Sequence, residues 1–305
     1  MSAPRLILPG KSYLMSRRCM QRQFLLSPSD PEVPNIVLFC LAHAATKYKI
    51  EVHAATCLSN HYHAVITDTL GVLPKFMHWT DLYIANCINH HRGRWGALWE
   101  PEGYSAVDLI EDQDVFRKIL YTMANVVEAG LVRFGIEWQG LRTRPEDIGT
   151  KELVATRPKF FSSRGSLPET AKLTFVKPKQ FSEMSDEEFR IDLRAKYRAV
   201  EESIQDRFDE EGREFLGVSK VRRQNPYDNP WTQETKRGLN PQIACKRKWP
   251  RIAAIKSLQA FRKEYREALD KYCAGDHEVV FPAGTYWMRV HFGVNCHPPG
   301  EHAPP

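Results

Sequence analysis

The sequence predicts an α+β protein: an antiparallel sheet with helices packed on it, followed by a mainly helical accessory region. Three observations predict it. Alternating β-rich runs and stretches of helical spacing interleave up to about residue 130. The chain then becomes Pro-, Lys- and Ser-rich with little periodicity, and after residue 184 long charged and basic-aromatic stretches take over. The 305 residues are 42% hydrophobic and 26% charged, which is enough to bury a real core. No run reaches the ~18 apolar residues of a membrane span, so no membrane partner is expected.

The elements follow in order. Residues 12–19 (SYLMSRRC) read as a strand with Arg17 and Arg18 at its end, and SPSDPEVP (27–34) as a Pro-rich turn leading into a helix. Ile36, Leu38, Phe39, Leu41 and Ala45 give residues 35–48 near-helical spacing. Residues 50–57 alternate as a strand, and HYHAVIT follows the turn Leu58-Ser59-Asn60 as its hairpin partner. Residues 71–91 carry an apolar helical stripe that HRGRWG (91–96) breaks. Residues 97–107 read as a strand bulged at Pro101 and Gly103, and 112–129 as a helix with Gly130 as C-cap. Strand, helix, strand, strand, helix, strand, helix is the order of a ferredoxin-like sandwich.

The expected organisation is 1–140 for this α+β unit, 141–183 for a linker or irregular connection, 184–297 for an accessory, mostly helical region and 298–305 for a disordered tail. Within the accessory region, 184–215 predicts a charged helix capped by Ser185 or Asp186, its Glu/Arg pattern a solvated face. Residues 281–293 (FPAGTYWMRVHFG) read as a turn followed by a strand-like run.

The seven cysteines are scattered, odd in number and never spaced as CxxC, so neither a disulfide framework nor a zinc ribbon is expected. The N-terminus lacks an apolar signal region, which makes the cytoplasm the expected compartment. A net charge of +6 suits a polyanionic partner without requiring one.

His61-Tyr62-His63 is the strongest local signal. On a strand, residues i and i+2 share a face, so the two imidazoles sit side by side as metal ligands must. A surface histidine pair, or a chance tripeptide among eleven histidines, gives the same string. Tyr121 lies in a predicted helix with Asn125 one turn later on the same face. A tyrosine hydroxyl attacks a phosphodiester when the phosphate is polarised, and the amide oxygen of an asparagine suits Mg²⁺ or Mn²⁺. A core aromatic is the ordinary alternative for Tyr121. His90 and His91, adjacent at a helix end, read as exposed caps and stay outside the site.

CLSNHYHAVIT, GALWEPEGYSAV and YTMANVVEAGLV occur in this order and at these separations. Together they resemble the single-tyrosine HUH transposases, most closely the REP-associated tyrosine transposases, over roughly residues 5–135. The resemblance implies that His61 and His63 hold a divalent metal, Mg²⁺ or Mn²⁺, with Asn125 as third ligand, and that Tyr121 is the nucleophile. Trp99, Glu100 and Tyr104 fall in the family's LWE strand, a structural role. The implied reaction is cleavage and rejoining of single-stranded DNA, often beside a hairpin, through a 5′-phosphotyrosine. It implies a transposase located with the nucleoid.

Relatives use the tyrosine in their own subunit or a partner's, so a homodimer is one arrangement the resemblance admits. The family pattern Asn-Pro-x-Arg-Ala-Gly is here Asn125-Val126-Val127-Glu128-Ala129-Gly130, and Glu128 in place of a basic residue is expected to weaken DNA contacts. The C-terminal FPAGTYW run resembles extensions on longer members.

Backbone charge on DNA is met by Lys and Arg, and bases stack on aromatics. Arg17, Arg18, Arg92, Arg94 and Trp95 are the expected DNA contacts, with CKRKWPR (245–251) as a second candidate. A domesticated hairpin-binding protein that no longer cuts is the alternative. A zinc hydrolase using only the two histidines is a third reading.

Overall fold

A computed structural model describes residues 3–231 and 241–300. Strands β1 (Lys11–Arg18), β2 (Ile50–Cys57), β3 (His61–Asp68) and β4 (Ser105–Leu109) interleave with helices α1 (Glu32–Tyr48), α2 (Leu73–His91) and α3 (Asp112–Glu128). The hairpin β5 (Glu152–Thr156) and β6 (Thr170–Thr174) follows, then α4 (Asp186–Glu210), α5 (Val218–Arg222), β7 (Ile243–Ala244), α6 (Lys248–Cys273) and α7 (Trp287–Phe292). The molecule is α+β. Its main sheet has the order β2-β3-β1-β4-β7.

The first four strands pair antiparallel, as expected, but β7 joins β4 in parallel. The sheet is therefore mixed, because the accessory region contributes an edge strand that has no alternating pattern of its own. Side-chain alternation puts different helices on the two faces. Tyr62 reaches α2, where its hydroxyl donates to Asp81 Oδ1 at 2.6 Å. The neighbouring His63 meets Tyr121 of α3.

α1 is apolar nearly all round, with Val33, Ile36, Val37, Phe39, Cys40 and Leu41 among its buried residues. Such a helix must be covered on more than one side. The sheet and α2 cover one side, and β5 and β6 cover the other, with Phe161 ringed against Phe39 and Tyr83. Residues 141–183, expected as a linker or irregular connection, thus carry ordered structure that closes the core over α1. Their alternation, Ala155 in one strand and Ala171 and Leu173 in the other, is too short to stand out in the sequence.

α4 begins at the expected Ser185, whose hydroxyl accepts from Glu188 N while Glu188 reaches back to Ser185 N. Its pattern is not only a solvated face. Phe189, Leu193, Tyr197, Ile204 and Phe208 are buried against the outer side of α3 and its surroundings. Two other expectations change. Residues 97–104 are irregular, with Pro101 unable to donate and Gly103 at a φ of 80°, so β4 starts only at Ser105. The run 281–293 is a turn followed by α7, not a strand. There Phe281, Met288, Val294 and Ala268 form a small separate cluster. The tail expected over 298–305 lies outside the described residues from 301 onward.

Candidate active site

β3 puts His61 and His63 on one face, in register with Arg18 and Ser16 of β1 and with Thr56 of β2 beside His63. Their ring centroids are 4.9 Å apart, edge to face. α3 is fixed over this face by Thr56, whose hydroxyl donates to Thr122 O at 2.7 Å. Tyr121 then lies with its ring centroid 5.5 Å from that of His63, and it remains 38% exposed, open to an incoming strand. Asn125, one turn further along α3, is buried and shares side-chain hydrogen bonds with His61 and Tyr121. The four residues singled out in the sequence form one cluster.

The electrostatics of the cluster follow from burial among cations. Desolvation pushes His61 down to about 4, with Arg18 acting in the same direction and Asn125 against it. His63 is held well below its ordinary value by burial, then by His61, Arg18 and Lys118. Both imidazoles are therefore neutral at pH 7, the form that has a lone pair to give.

The orientation of His61 is set from outside the cluster. Asn60 Nδ2 donates to Arg22 O at 3.0 Å, so Asn60 Oδ1 faces His61 and accepts from its Nδ1 at 2.7 Å. His61 Nε2 keeps the lone pair. His63 lies beside the Met15 backbone of β1, which acts on its ring as a hydrogen-bond partner. Two neutral imidazoles and an amide oxygen on one face fit a divalent ion.

Burial raises the Tyr121 phenol, Glu128 adds to the rise, and Asn125 and Arg18 oppose it. Lys118, one turn before Tyr121, holds its Nζ 5.0 Å from the tyrosine ring centroid, and burial lowers its ammonium. The sequence reading missed Lys118, although its i−3 spacing from Tyr121 on a helix was a readable signal.

The expected DNA contacts separate. Arg18 shares the face of the histidines. Arg17, one residue earlier, points to the other face, where its side chain is 12% exposed and lies 3.5 Å from Asp81. Arg17 is therefore removed from the set of DNA contacts, for the same alternation that places Arg18 in it. Arg92 donates to Leu25 O and ties its loop to the segment before α1, whereas Arg94 donates to Asn89 Oδ1 and Ala97 O and holds the loop itself together. Trp95 in that loop is 96% exposed. Trp99 is a structural residue: its indole N–H donates to Asp81 O at 2.8 Å. His91 pairs with Asp30 at 2.6 Å, away from the cluster.

A second group could by composition hold a metal: Glu111, Asp114 and Cys245 bring ligand atoms within 4.8 Å of one another. Its acids are already satisfied. Glu111 and Asp114 form the capping box of α3, Arg247 clasps Glu111, and Arg117 pairs with Asp114. Lys246 N also donates to Asp114 Oδ1 at 3.1 Å.

No described helix is long and apolar enough to cross a membrane. No protein-family model matches the chain. No curated protein matches it. Solved structures do resemble it. One is a REP-associated tyrosine transposase bound to a REP hairpin, 16% identical over 48% of this chain and 84% of that one, with a TM-score of 0.41. Another is a candidate transposase from Deinococcus radiodurans R1, 18% identical over 35% of this chain and 85% of that one, with a TM-score of 0.27. Structures that this chain is similar to thus include a REP-associated tyrosine transposase and a candidate transposase.

Proposed function

We propose that the chain is a metal-dependent single-stranded DNA endonuclease and strand transferase, a transposase of the single-tyrosine HUH type, acting near hairpin or palindromic DNA. The observation that carries this is the convergence of Tyr121, His61, His63 and Asn125 from two separate elements, with both imidazoles neutral. The order β4-β1-β3-β2 supports the ferredoxin-like reading of the catalytic unit.

His61, His63 and Asn125 are the residues that would hold Mg²⁺ or Mn²⁺, which supplies Lewis-acid polarisation of the scissile phosphate when bound. Tyr121 Oη attacks the phosphorus. A tyrosine–phosphorus bond forms as the bond to the 3′ oxygen breaks, and the released 3′ oxygen ends protonated. The 5′-phosphotyrosine conserves the bond energy, so attack by a 3′-OH reverses the step without ATP. Lys118 and Arg18 provide positive charge where the transition state is most negative. Glu128 is clasped by Arg207 through both oxygens at 2.8 Å, so its charge is compensated within the protein.

The test is a gel assay for covalent protein–DNA adducts. Labelled single-stranded hairpin DNA from the gene's own flanks is incubated with wild type and Tyr121→Phe, with Mg²⁺ or Mn²⁺ and with chelator. A metal-dependent shifted band in wild type alone is expected. Tight hairpin binding with no band would replace the transferase by a non-cleaving hairpin-binding protein. Activity surviving Tyr121→Phe would replace it by a hydrolase.

A further inference from the structure

From Lys246 to Lys263 the chain has seven basic residues and no acidic one. This tract leads into and forms the first four turns of α6. The helix turns Ala254, Ser257, Leu258 and Phe261 toward the protein, and the first three line a cavity of about 230 Å³ against the sheet edge. On its outer side Lys248, Lys256 and Lys263 stand exposed, eight and seven residues apart, on one stripe.

Two of the seven cations serve the fold. Arg247 clasps Glu111, and Arg262 donates to Pro4 O and Gln242 Oε1. Trp249 is 74% exposed at the head of the helix, with Lys248 Nζ 5.3 Å from its ring centroid. Among the described residues, Lys263 pairs with the exposed i,i+4 neighbour Glu267 at 3.9 Å.

The tract is docked on the helix that carries the nucleophile. Arg247 and Lys246 bind Glu111 and Asp114 at the start of α3, and Tyr121 lies ten residues along, about 15 Å at helical rise. The basic stripe from Lys248 to Lys263 is about 22 Å long. It therefore begins within reach of a strand held at Tyr121 and is long enough to follow several phosphates of a duplex, which carries one charge per ~1.7 Å.

We propose that the outer face of α6 is the docking surface for the duplex stem of a DNA hairpin whose single-stranded flank enters the Tyr121 site. Lys248, Lys256 and Lys263 contact stem phosphates, and Trp249 packs on the stem's exposed end or on an unpaired base beside it. The inference rests on the reading of the chain as a DNA-processing enzyme. Charge complementarity calls for a polyanion, and the low apolar content favours DNA over an anionic lipid surface: the outer face offers only Trp249 and Ile255 as large exposed apolar groups in these turns.

The experiment uses the full chain carrying Lys248→Ala, Lys256→Ala and Lys263→Ala together, exposed changes that leave helix propensity intact. Binding is measured at several salt concentrations to a labelled hairpin with a 5′ flank, and to the same flank without its stem. Hairpin affinity is expected to fall roughly 10- to 100-fold, more than affinity for the stemless strand, and the salt slope to flatten by about three units. Trp249→Ala is expected to weaken the hairpin selectively, and Lys271→Ala to change nothing.

A triple variant that binds the hairpin like wild type, with unchanged slope, overturns the proposal. So does loss of binding to phosphatidylserine vesicles with hairpin binding intact. The covalent-adduct assay is read separately. Absent adducts with α6-dependent hairpin binding would remove the transferase reading and leave this surface standing. Adducts with α6-independent binding would do the reverse.

Discussion

Among the described residues, two groups have the composition of a metal site, and they differ in what their atoms already bind. At the head of α3, Glu111, Asp114 and Cys245 converge, but every carboxylate there is answered by an arginine, a backbone N–H or the helix cap. On the sheet face, His61, His63 and Asn125 converge with both imidazoles neutral and His61 Nε2 keeping its lone pair. Proximity of ligand types is common, and lone pairs left to give are what separate the two groups. The first group holds α3 and α6 together. The second holds the features of a working site, and the two are linked by the same helix.

That contrast is broken or sharpened by experiment, beginning with the histidines. His61→Ala with His63→Ala should abolish the metal dependence of adduct formation, a loss on the order of 10²-fold or more, seen as identical rates with Mn²⁺ and with chelator. Asp114→Ala should leave the metal dependence at the wild-type level. The reverse pattern would exchange the roles of the two groups. Lys118→Ala should slow adduct formation on the order of 10²-fold with DNA binding largely kept, and Lys118→Arg should restore part of it, as measured in single turnover.

Stability gives the next test. His53 is fully buried between Val176 O and Thr67 Oγ1, each at 2.8 Å, and burial pushes its imidazole down to about 4. Its folded-state value is depressed below the unfolded one. Its contribution is therefore fully present above about pH 6.5 and is lost as pH falls toward about 4, on the order of 3 kcal/mol. Urea midpoints across that window should drop, and drop less in His53→Gln.

Asp114→Ala removes half of a capping box and a partner of Arg117, and should cost about 1–2 kcal/mol in the same assay. The smallest effect is expected at Glu128→Ala. Its pair with Arg207 is exposed on both sides, so less than about 1 kcal/mol should be lost. A larger loss would mean that α4 grips α3 mainly through charge, instead of through Phe189, Leu193 and Phe208.

Most of the first 130 residues was legible because periodicity and turn chemistry agree there. β2 was read over its full observed span, and α2 and α3 within two residues. The candidate site was legible for a related reason: i and i+2 on a strand, and i and i+4 on a helix, fix which side chains share a face before any tertiary contact exists. The same alternation, applied strictly, would have separated Arg18 from Arg17. It failed there only because both residues were read as one basic patch.

The sequence by itself determined the first three strands and the first three helices, the pairing of His61 with His63, and that of Tyr121 with Asn125. These follow from local dihedral geometry and hydrophobic period. Tertiary structure decided what depends on contacts between distant segments. It brought the histidine pair and the tyrosine helix together. It added β7 in parallel to the sheet edge, closed β5 and β6 over a mostly apolar α1, and paired Glu128 with Arg207. None of these leaves a local pattern, because each element finds its partner in surface that another part of the chain leaves uncovered.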